Sequence, residues 1–374
     1  MKFIIVCGGS AGHINPAIAI ADEIRSKLPE SKILFVGADK TLEKRLIPAA
    51  GFDLVNIQMS GVRRGISPED ILHNIKTVKN VITAKHKSKK LLKEQKPDAV
   101  IGTGGYVCYP ILKKAADLGI ATFVLEPNAY PGLANRMLSG VVDKIFVTYK
   151  ELEDQYKHPE RVMYTGTPLK SEFYGFIEEE TSTMDNDKPL IVSYWGSIGA
   201  VKMNEVILDF ITLNVKEKRF NHIHATGIST NAEKMINKLR DSGLTDVNAP
   251  IADIREYIDN MPVVMKAADI VICRSGASTI AELTALGKPA IFIPSPNVAE
   301  NHQEVNAEQL QAAGGAIMIL EKDCTGEKLF KIVSELLIDK NKLEKMSIAQ
   351  KSLSVPNAAS NIVEAVVDFC TNRV

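Results

Sequence analysis

Apolar residues in this chain gather in short continuous runs rather than alternating ones. Examples are KFIIVC (2–7), closed by Gly8, KILFVGA (32–38), ATFVLE (121–126), closed by Pro127, KIFVTY (144–149) and DIVIC (269–273), which leads into Arg274-Ser275-Gly276. Such runs are the pattern of parallel strands buried on both faces. Stretches between them carry apolar residues at helical spacing. The pattern predicts an α/β chain built from two doubly wound domains. Seven strand-like segments end near Met163 and make an N-terminal domain over 1–166. The acidic, polar EEETSTMDNDKP run marks a linker over 167–188, a second domain follows over 189–350, and a helix over 351–374 packs back towards the first. Two helices, broken around Ser354-Val355-Pro356, are predicted to fill the C-terminus.

The most sharply punctuated stretch is 268–294, ADIVICRSGASTIAELTALGKPAIFIP. It reads as a strand, a Ser275-Gly276 turn, a helix over about 278–286, a Gly287 stop and a second strand. The helix opens straight after small residues, so its unpaired amides and positive dipole end face any anion placed there. Ser278 and Glu282 lie four apart on one face, where a carboxylate can accept both hydroxyls of a ribose. A second strand–turn–helix unit at PLIVSYWGSIGA offers Ser197 and Gly199 to a phosphate.

The first domain opens on Gly8-Gly9-Ser10-Ala11-Gly12-His13, ahead of a helix predicted over about 16–27. The spacing is not that of a dinucleotide fingerprint, and no acid ends the next strand. His13, at a strand's C-terminal end, faces the usual ligand crevice. Gly102-Thr103-Gly104-Gly105 is a second glycine turn beside the first, and Glu126 and Asn128 follow the next strand onto the same rim. Tyr257 and Ile258 can cover a base, and the polar group Asn297, Glu300, Asn301, His302 and Gln303 suits sugar hydroxyls. His222 and His224 alternate on one strand face without Cys or carboxylate neighbours, so they read as packing residues rather than metal ligands.

Composition adds less. Charges balance at 45 against 45, and the five cysteines lack CxxC spacing, as in a cytosolic protein with reduced thiols. The N-terminal apolar run is too short for a signal peptide, and no run can span a bilayer. Charge is nonetheless concentrated: residues 73–96 hold eight lysines, Lys76, Lys79 and Lys85 among them, against one acid, on an amphipathic helix or helix pair. Arg63 and Arg64 stand just upstream in SGVRRGIS. An anionic membrane surface or phosphorylated acceptor fits this basic face as the alternative to a plain solvated face, which is the default. Nucleic acid does not, because no aromatic residue is interleaved for base stacking.

GGSAGHINPAIAIA, SGVRRG, GTGGYVCYP, EPNAYPGLANRML, TGTPLK, WGSIGA, ICRSGASTIAELTALGKPAIFIP and ENHQEVNA, in that order over about residues 1–320, resemble the motif series of the MurG family of bacterial peptidoglycan N-acetylglucosaminyltransferases. The resemblance implies a GT-B fold, two Rossmann-like doubly wound domains facing each other across a cleft. It implies transfer of N-acetylglucosamine from UDP-GlcNAc to the muramyl 4-hydroxyl of lipid I, with inversion, giving lipid II at the cytoplasmic face of the membrane. Carried over by motif, Ser197 meets the diphosphate, Tyr257 and Ile258 the uracil, and Ala277, Ser278, Thr279, Ile280, Ala281 and Glu282 the phosphates and ribose. Gln303 and His302 read the sugar; Ser10, Ala11, Gly12 and Asn128 line the reaction centre. Arg63, Arg64, Gly104, Gly105 and Tyr106 fall on the acceptor side.

Three departures stand out. The first loop is GGSAGH where GGTGGH is usual, and Glu-Pro-Asn stands for Glu-Gln-Asn. Lys170 occupies the place of an Arg on the diphosphate, keeping the charge but losing the fork. For the base that takes the acceptor proton, His13 is the first choice and Glu126 the second. No DxD-like pair follows a strand, so the expectation is no tightly bound cofactor, with Mg²⁺ at most carried on the diphosphate. A diacylglycerol glucosyltransferase-like enzyme and a UDP-sugar epimerase are the competing readings.

Overall fold

The computed structural model describes residues 1–39, 41–57, 59, 67–174, 188–230, 232–241, 251–298 and 301–373, with side chains at 68 and 70–82 excepted. Two units divide the chain: Met1–Lys170 with Val355–Val374, and Ser171–Ser354.

In the first unit, β1 (Lys2–Cys7), β2 (Lys32–Ala38), β3 (Asp53–Ile57), β4 (Ala99–Gly104), β5 (Ala121–Glu126), β6 (Lys144–Val147) and β7 (Val162–Tyr164) form one parallel sheet. Its order is β3-β2-β1-β4-β5-β6-β7. Helices α1 (Ala11–Lys27), α2 (Thr41–Ala49), α3 (Pro68–Gln95), α4 (Cys108–Asp117) and α5 (Leu133–Leu138) connect the strands. Because successive strand residues point to opposite faces, Phe3, Ile5 and Cys7 enter one core, while Ile4 and Val6 enter the other. That double burial is why the apolar runs do not alternate. Strand order reverses between β1 and β4, which opens a crevice at their C-terminal ends.

In the second unit, β8 (Leu190–Tyr194), β9 (Asn221–Ala225), β10 (Asp253–Arg255), β11 (Ile270–Cys273), β12 (Ala290–Phe292) and β13 (Ala316–Met318) are again all parallel, in the order β10-β9-β8-β11-β12-β13. Its helices are α6 (Val201–Glu217), α7 (Ala232–Asp241), α8 (Met261–Ala267), α9 (Ala277–Leu286), α10 (His302–Ala312), α11 (Gly326–Ile338) and α12 (Lys340–Ser352). Here the order reverses between β8 and β11. A last helix, α13 (Ala358–Asn372), belongs to the first unit: it lies on α1 and buries Ile362, Val363 and Val366 with Phe3 and Ile5. Gly166 leaves room for the returning chain, since a Cβ there would stand 2.5 Å from Val355 Cβ.

Two expectations from the sequence need correction, and one left open is decided. Helix α1 begins at Ala11, not near Pro16, so Gly12 and His13 are first-turn residues. Pro16 forfeits one bond, to Gly12, close to an end where amides are unpaired anyway. Of the two forms expected for the basic stretch, the single helix is the one found: α3 runs unbroken for 28 residues. Three helices, not two, follow β13, because Asp339 ends α11 and accepts the Lys342 N–H at 3.0 Å to start α12.

Candidate active site

In the first unit, the turns after β1 and β4 meet at the switch point. A Cβ on Gly105 would stand 2.3 Å from the Gly8 carbonyl oxygen, so the two glycine turns touch backbone to backbone. His13 bridges them. Its Nδ1 lies 3.0 Å from the Thr103 carbonyl, and Thr103 Oγ1 donates back to the His13 carbonyl at 2.7 Å. A carbonyl can only accept, so the proton sits on Nδ1 and Nε2 carries the lone pair. Gly104 gives the ring its place: with φ +119°, its Cβ would fall 2.2 Å from His13 Nδ1. Ser10 ends the turn and its carbonyl accepts the His13 amide at 3.1 Å. Tyr106, 44% exposed, stands beyond the second turn. Ser10, Ala11, Gly12, His13, Gly104, Gly105 and Tyr106 are thus brought to one place.

Glu126 is fully buried. Its Oε2 accepts from the Gly132 amide and Asn135 Nδ2, both at 2.8 Å, and its Oε1 from the amide and side chain of Asn128 at 3.1 and 3.2 Å. Burial raises its pKa, and these four donors oppose the rise. Both oxygens are spent on holding the EPNAYPG loop, so the expectation that Glu126 faces the acceptor as a base is corrected. Two of its four bonds hold Asn128.

In the second unit, the turn after β8 holds Ser197 between Gly196 and Gly199, at φ +81° and +87°. A Cβ on Gly199 would strike the Thr226 carbonyl at 2.1 Å, so this turn lies flat on the one after β9. The Ser197 carbonyl accepts from Ile228, and Gly227 donates to the Glu256 carbonyl at 3.0 Å, one residue before Tyr257. Backbone bonds therefore tie Ser197, Gly227–Ile228 and Glu256 into one rim, from which the chain runs into Tyr257 and the buried Ile258. Across the switch point, α9 starts at Ala277 behind Gly276, which makes no side-chain cap, and Ser278 and Thr279 complete its first turn. Ile280 and Ala281 follow, and Glu282 is buried near Tyr194, whose hydroxyl is held in the protonated form first by its burial and then by Cys273 and the Glu282 charge.

Gln303 joins α9 through Ser275, whose hydroxyl donates to the Gln303 carbonyl at 2.6 Å. Its side-chain oxygen accepts the Ser295 amide at 2.9 Å. His302 precedes it at the start of α10. Lys170 immediately precedes a single turn, Ser171–Phe173, that packs on α9. Sequence reasoning missed Arg274. It donates to the Ile293 and Pro294 carbonyls at 2.8 and 3.0 Å and to Glu321 at 2.5 Å, and it lies 5.6 Å from the Trp195 ring centroid. One guanidinium thus fixes the ends of β8, β11 and β12 together.

Lys85 is exposed near the Tyr109 ring. Arg63 and Arg64 lie outside the described residues, as do the side chains of Lys76 and Lys79. No described helix is long and apolar enough to cross a membrane.

The chain matches the family models for the glycosyltransferase family 28 N-terminal domain over residues 3–147 and the family 28 C-terminal domain over 190–362. Curated relatives extend the match to full length. A protein of Acetivibrio thermocellus named UDP-N-acetylglucosamine–N-acetylmuramyl-(pentapeptide) pyrophosphoryl-undecaprenol N-acetylglucosamine transferase is 39% identical, covering 100% of this chain and 99% of its own. A Thermoanaerobacter protein of the same name is 42% identical over 98% and 99%. The chain belongs to this transferase family. In fold it is similar to the crystal structure of Acinetobacter baumannii MurG, with TM-score 0.72 at 23% identity over 98% and 99% of the two chains. The Neisseria meningitidis UDP-GlcNAc 2-epimerase bound to UDP-GlcNAc is also similar, with TM-score 0.68 at 16% identity over 98% and 100%. Transferase and epimerase share this fold, so membership of the family rests on the full-length identities.

Proposed function

We propose that the chain transfers N-acetylglucosamine from UDP-GlcNAc to the muramyl 4-hydroxyl of lipid I, with inversion, making lipid II. The observation that carries the mechanism is the 3.0 Å contact between His13 Nδ1 and the Thr103 carbonyl, which makes Nε2 the basic nitrogen of the neutral ring. In the transfer, the bond from C1 of the sugar to the β-phosphate oxygen breaks and its electron pair leaves on UDP. The acceptor oxygen bonds to C1, and its proton passes to His13 Nε2. Charge gathering on UDP meets the α9 amides, Ser197 and Lys170. Glu282 holds the ribose, Tyr257 and Ile258 the uracil, and Gln303 with His302 the sugar. Ser10, Ala11, Gly12 and Asn128 border the acceptor. Lys76, Lys79, Lys85, Arg63 and Arg64 hold the protein peripherally to an anionic inner leaflet.

The test is release of UDP from UDP-GlcNAc, with and without a lipid I analogue, by wild type and His13→Ala. Expected is acceptor-dependent release, lost in the variant while donor still binds. Conversion of UDP-GlcNAc to an isomer without acceptor and without UDP release returns the epimerase reading, and diacylglycerol serving in place of lipid I returns the other lipid transferase. Repeating the assay in EDTA shows whether Mg²⁺ on the diphosphate contributes.

A further inference from the structure

Beneath the first glycine turn lies an acidic side chain that the transfer itself does not use. Glu43, in the first turn of α2, is 0% exposed. Its Oε1 accepts the amide of Gly9 at 2.8 Å, and Gly9, at φ +93°, is where the chain turns from β1 towards α1. Two further glycines make the space it occupies. A Cβ on Gly8 would stand 2.9 Å from Glu43 Oε1, and one on Gly37 3.3 Å from Glu43 Cγ. Its second oxygen, Oε2, is buried with no hydrogen-bond partner among the described residues. Burying a carboxylate with half its acceptors unused costs free energy that an apolar side chain of similar size would spare. Packing alone therefore does not account for it.

We propose that Glu43 is a positioning residue for the transfer: by holding the Gly9 amide it sets the turn that delivers His13 to the acceptor hydroxyl. This rests on His13 being the base. The path is short. Gly9 leads into Ser10, and the Ser10 carbonyl receives the amides of His13 and Ile14 at 3.1 and 3.2 Å, which starts α1. Thr103 fixes the imidazole from the side, and Glu43 fixes its helix from below. If the Gly9 amide is released, the turn can pivot while the Thr103 bond drags on the ring, and Nε2 leaves its line to the acceptor.

Two near-isosteric substitutions separate reach from charge. Glu43→Gln keeps an acceptor at the Gly9 amide and loses the charge. Glu43→Asp keeps the charge but, one methylene shorter, withdraws from Gly9. Expected is kcat within about threefold of wild type for Gln and lower by about tenfold or more for Asp, since misplacing a reacting group by about 1 Å can cost about a hundredfold. KM for UDP-GlcNAc stays within about twofold in both, because donor binding is not what Glu43 supports. An active Asp variant beside an inactive Gln variant overturns the proposal in favour of charge. Two variants that lose thermal stability but keep kcat overturn it in favour of structure alone. His13→Ala is assayed alongside: if that variant turns over normally, the assignment of the base fails first, whatever the Glu43 variants do.

Discussion

Gly104→Ala tests the base without touching it. A Cβ at residue 104 would stand 2.2 Å from His13 Nδ1 and 2.5 Å from Cε1. Carbon and ring atoms settle at about 3.5 Å, so the imidazole must retreat by about 1 Å. The retreat breaks the 3.0 Å bond to the Thr103 carbonyl, which fixes both ring orientation and tautomer. A misplacement of that size costs about a hundredfold in rate, or about 2.7 kcal/mol in the barrier. Strain adds to this, because φ at residue 104 is +119° and an L side chain there costs about 1–3 kcal/mol of stability. Gly119→Ala isolates the strain: φ is +71°, and nothing lies within 4 Å of the added Cβ. In the acceptor-dependent UDP-release assay, Gly104→Ala should lose about a hundredfold in kcat with KM for UDP-GlcNAc unchanged. Gly119→Ala should lose stability only. A folded Gly104→Ala enzyme with kcat within about threefold of wild type would refute the reasoning, since the base could not then be where it is described.

The other predictions concern the second unit and the basic helix. Glu282→Ala should weaken UDP-GlcNAc binding by about 1.5–3 kcal/mol, the range for hydrogen bonds to a charged group; an unchanged Kd by calorimetry removes Glu282 from the site. His224 is buried, with Nδ1 at 2.7 Å from Ser193 Oγ and Nε2 at 3.2 Å from Asn204 Oδ1, and burial lowers its pKa to about 3. An unfolded chain protonates its histidines near 6.5, so between those values the unfolded state binds more protons and stability falls as pH falls. The slope is about 1.4 kcal/mol per pH unit for this group. His224→Asn should flatten it in urea titrations followed by the fluorescence of Trp195, the only tryptophan; an unaltered slope would assign the dependence elsewhere. Replacing Lys76, Lys79 and Lys85 with Gln should weaken binding to anionic vesicles by about 1 kcal/mol each and spare turnover of a soluble acceptor. Undiminished vesicle binding would leave this helix a solvated face.

Both sheets were legible because strands buried on two faces cannot hide: Ile4, Ile5 and Val6 are apolar in a row since each residue meets a core. The glycine turns were legible too, as positions where backbone must meet backbone. Side-chain assignments depending on contacts between distant segments were not. Glu126 looked like a rim carboxylate, and only Gly132 and Asn135 show that its oxygens are taken. Arg274 reaches Glu321, 47 residues on, and no periodicity announces that pair. Glu43 did leave a trace: it lies four residues before Ile47, on the buried stripe of α2.

The first unit is interrupted in sequence, since residues 171–354 form the second unit and only then does the chain supply α13. This sets an order of manufacture. A ribosome adds about 5–20 residues each second. The first sheet therefore emerges some tens of seconds before its last helix. Through that interval α1 and β5 stand without the cover of Ile362, Val363 and Val366, and Phe123 without the edge of Phe369. The second unit can close on its own as it leaves the exit tunnel. The unit that carries His13 is finished last, after the whole of the unit that carries Ser197 and Glu282 has been made.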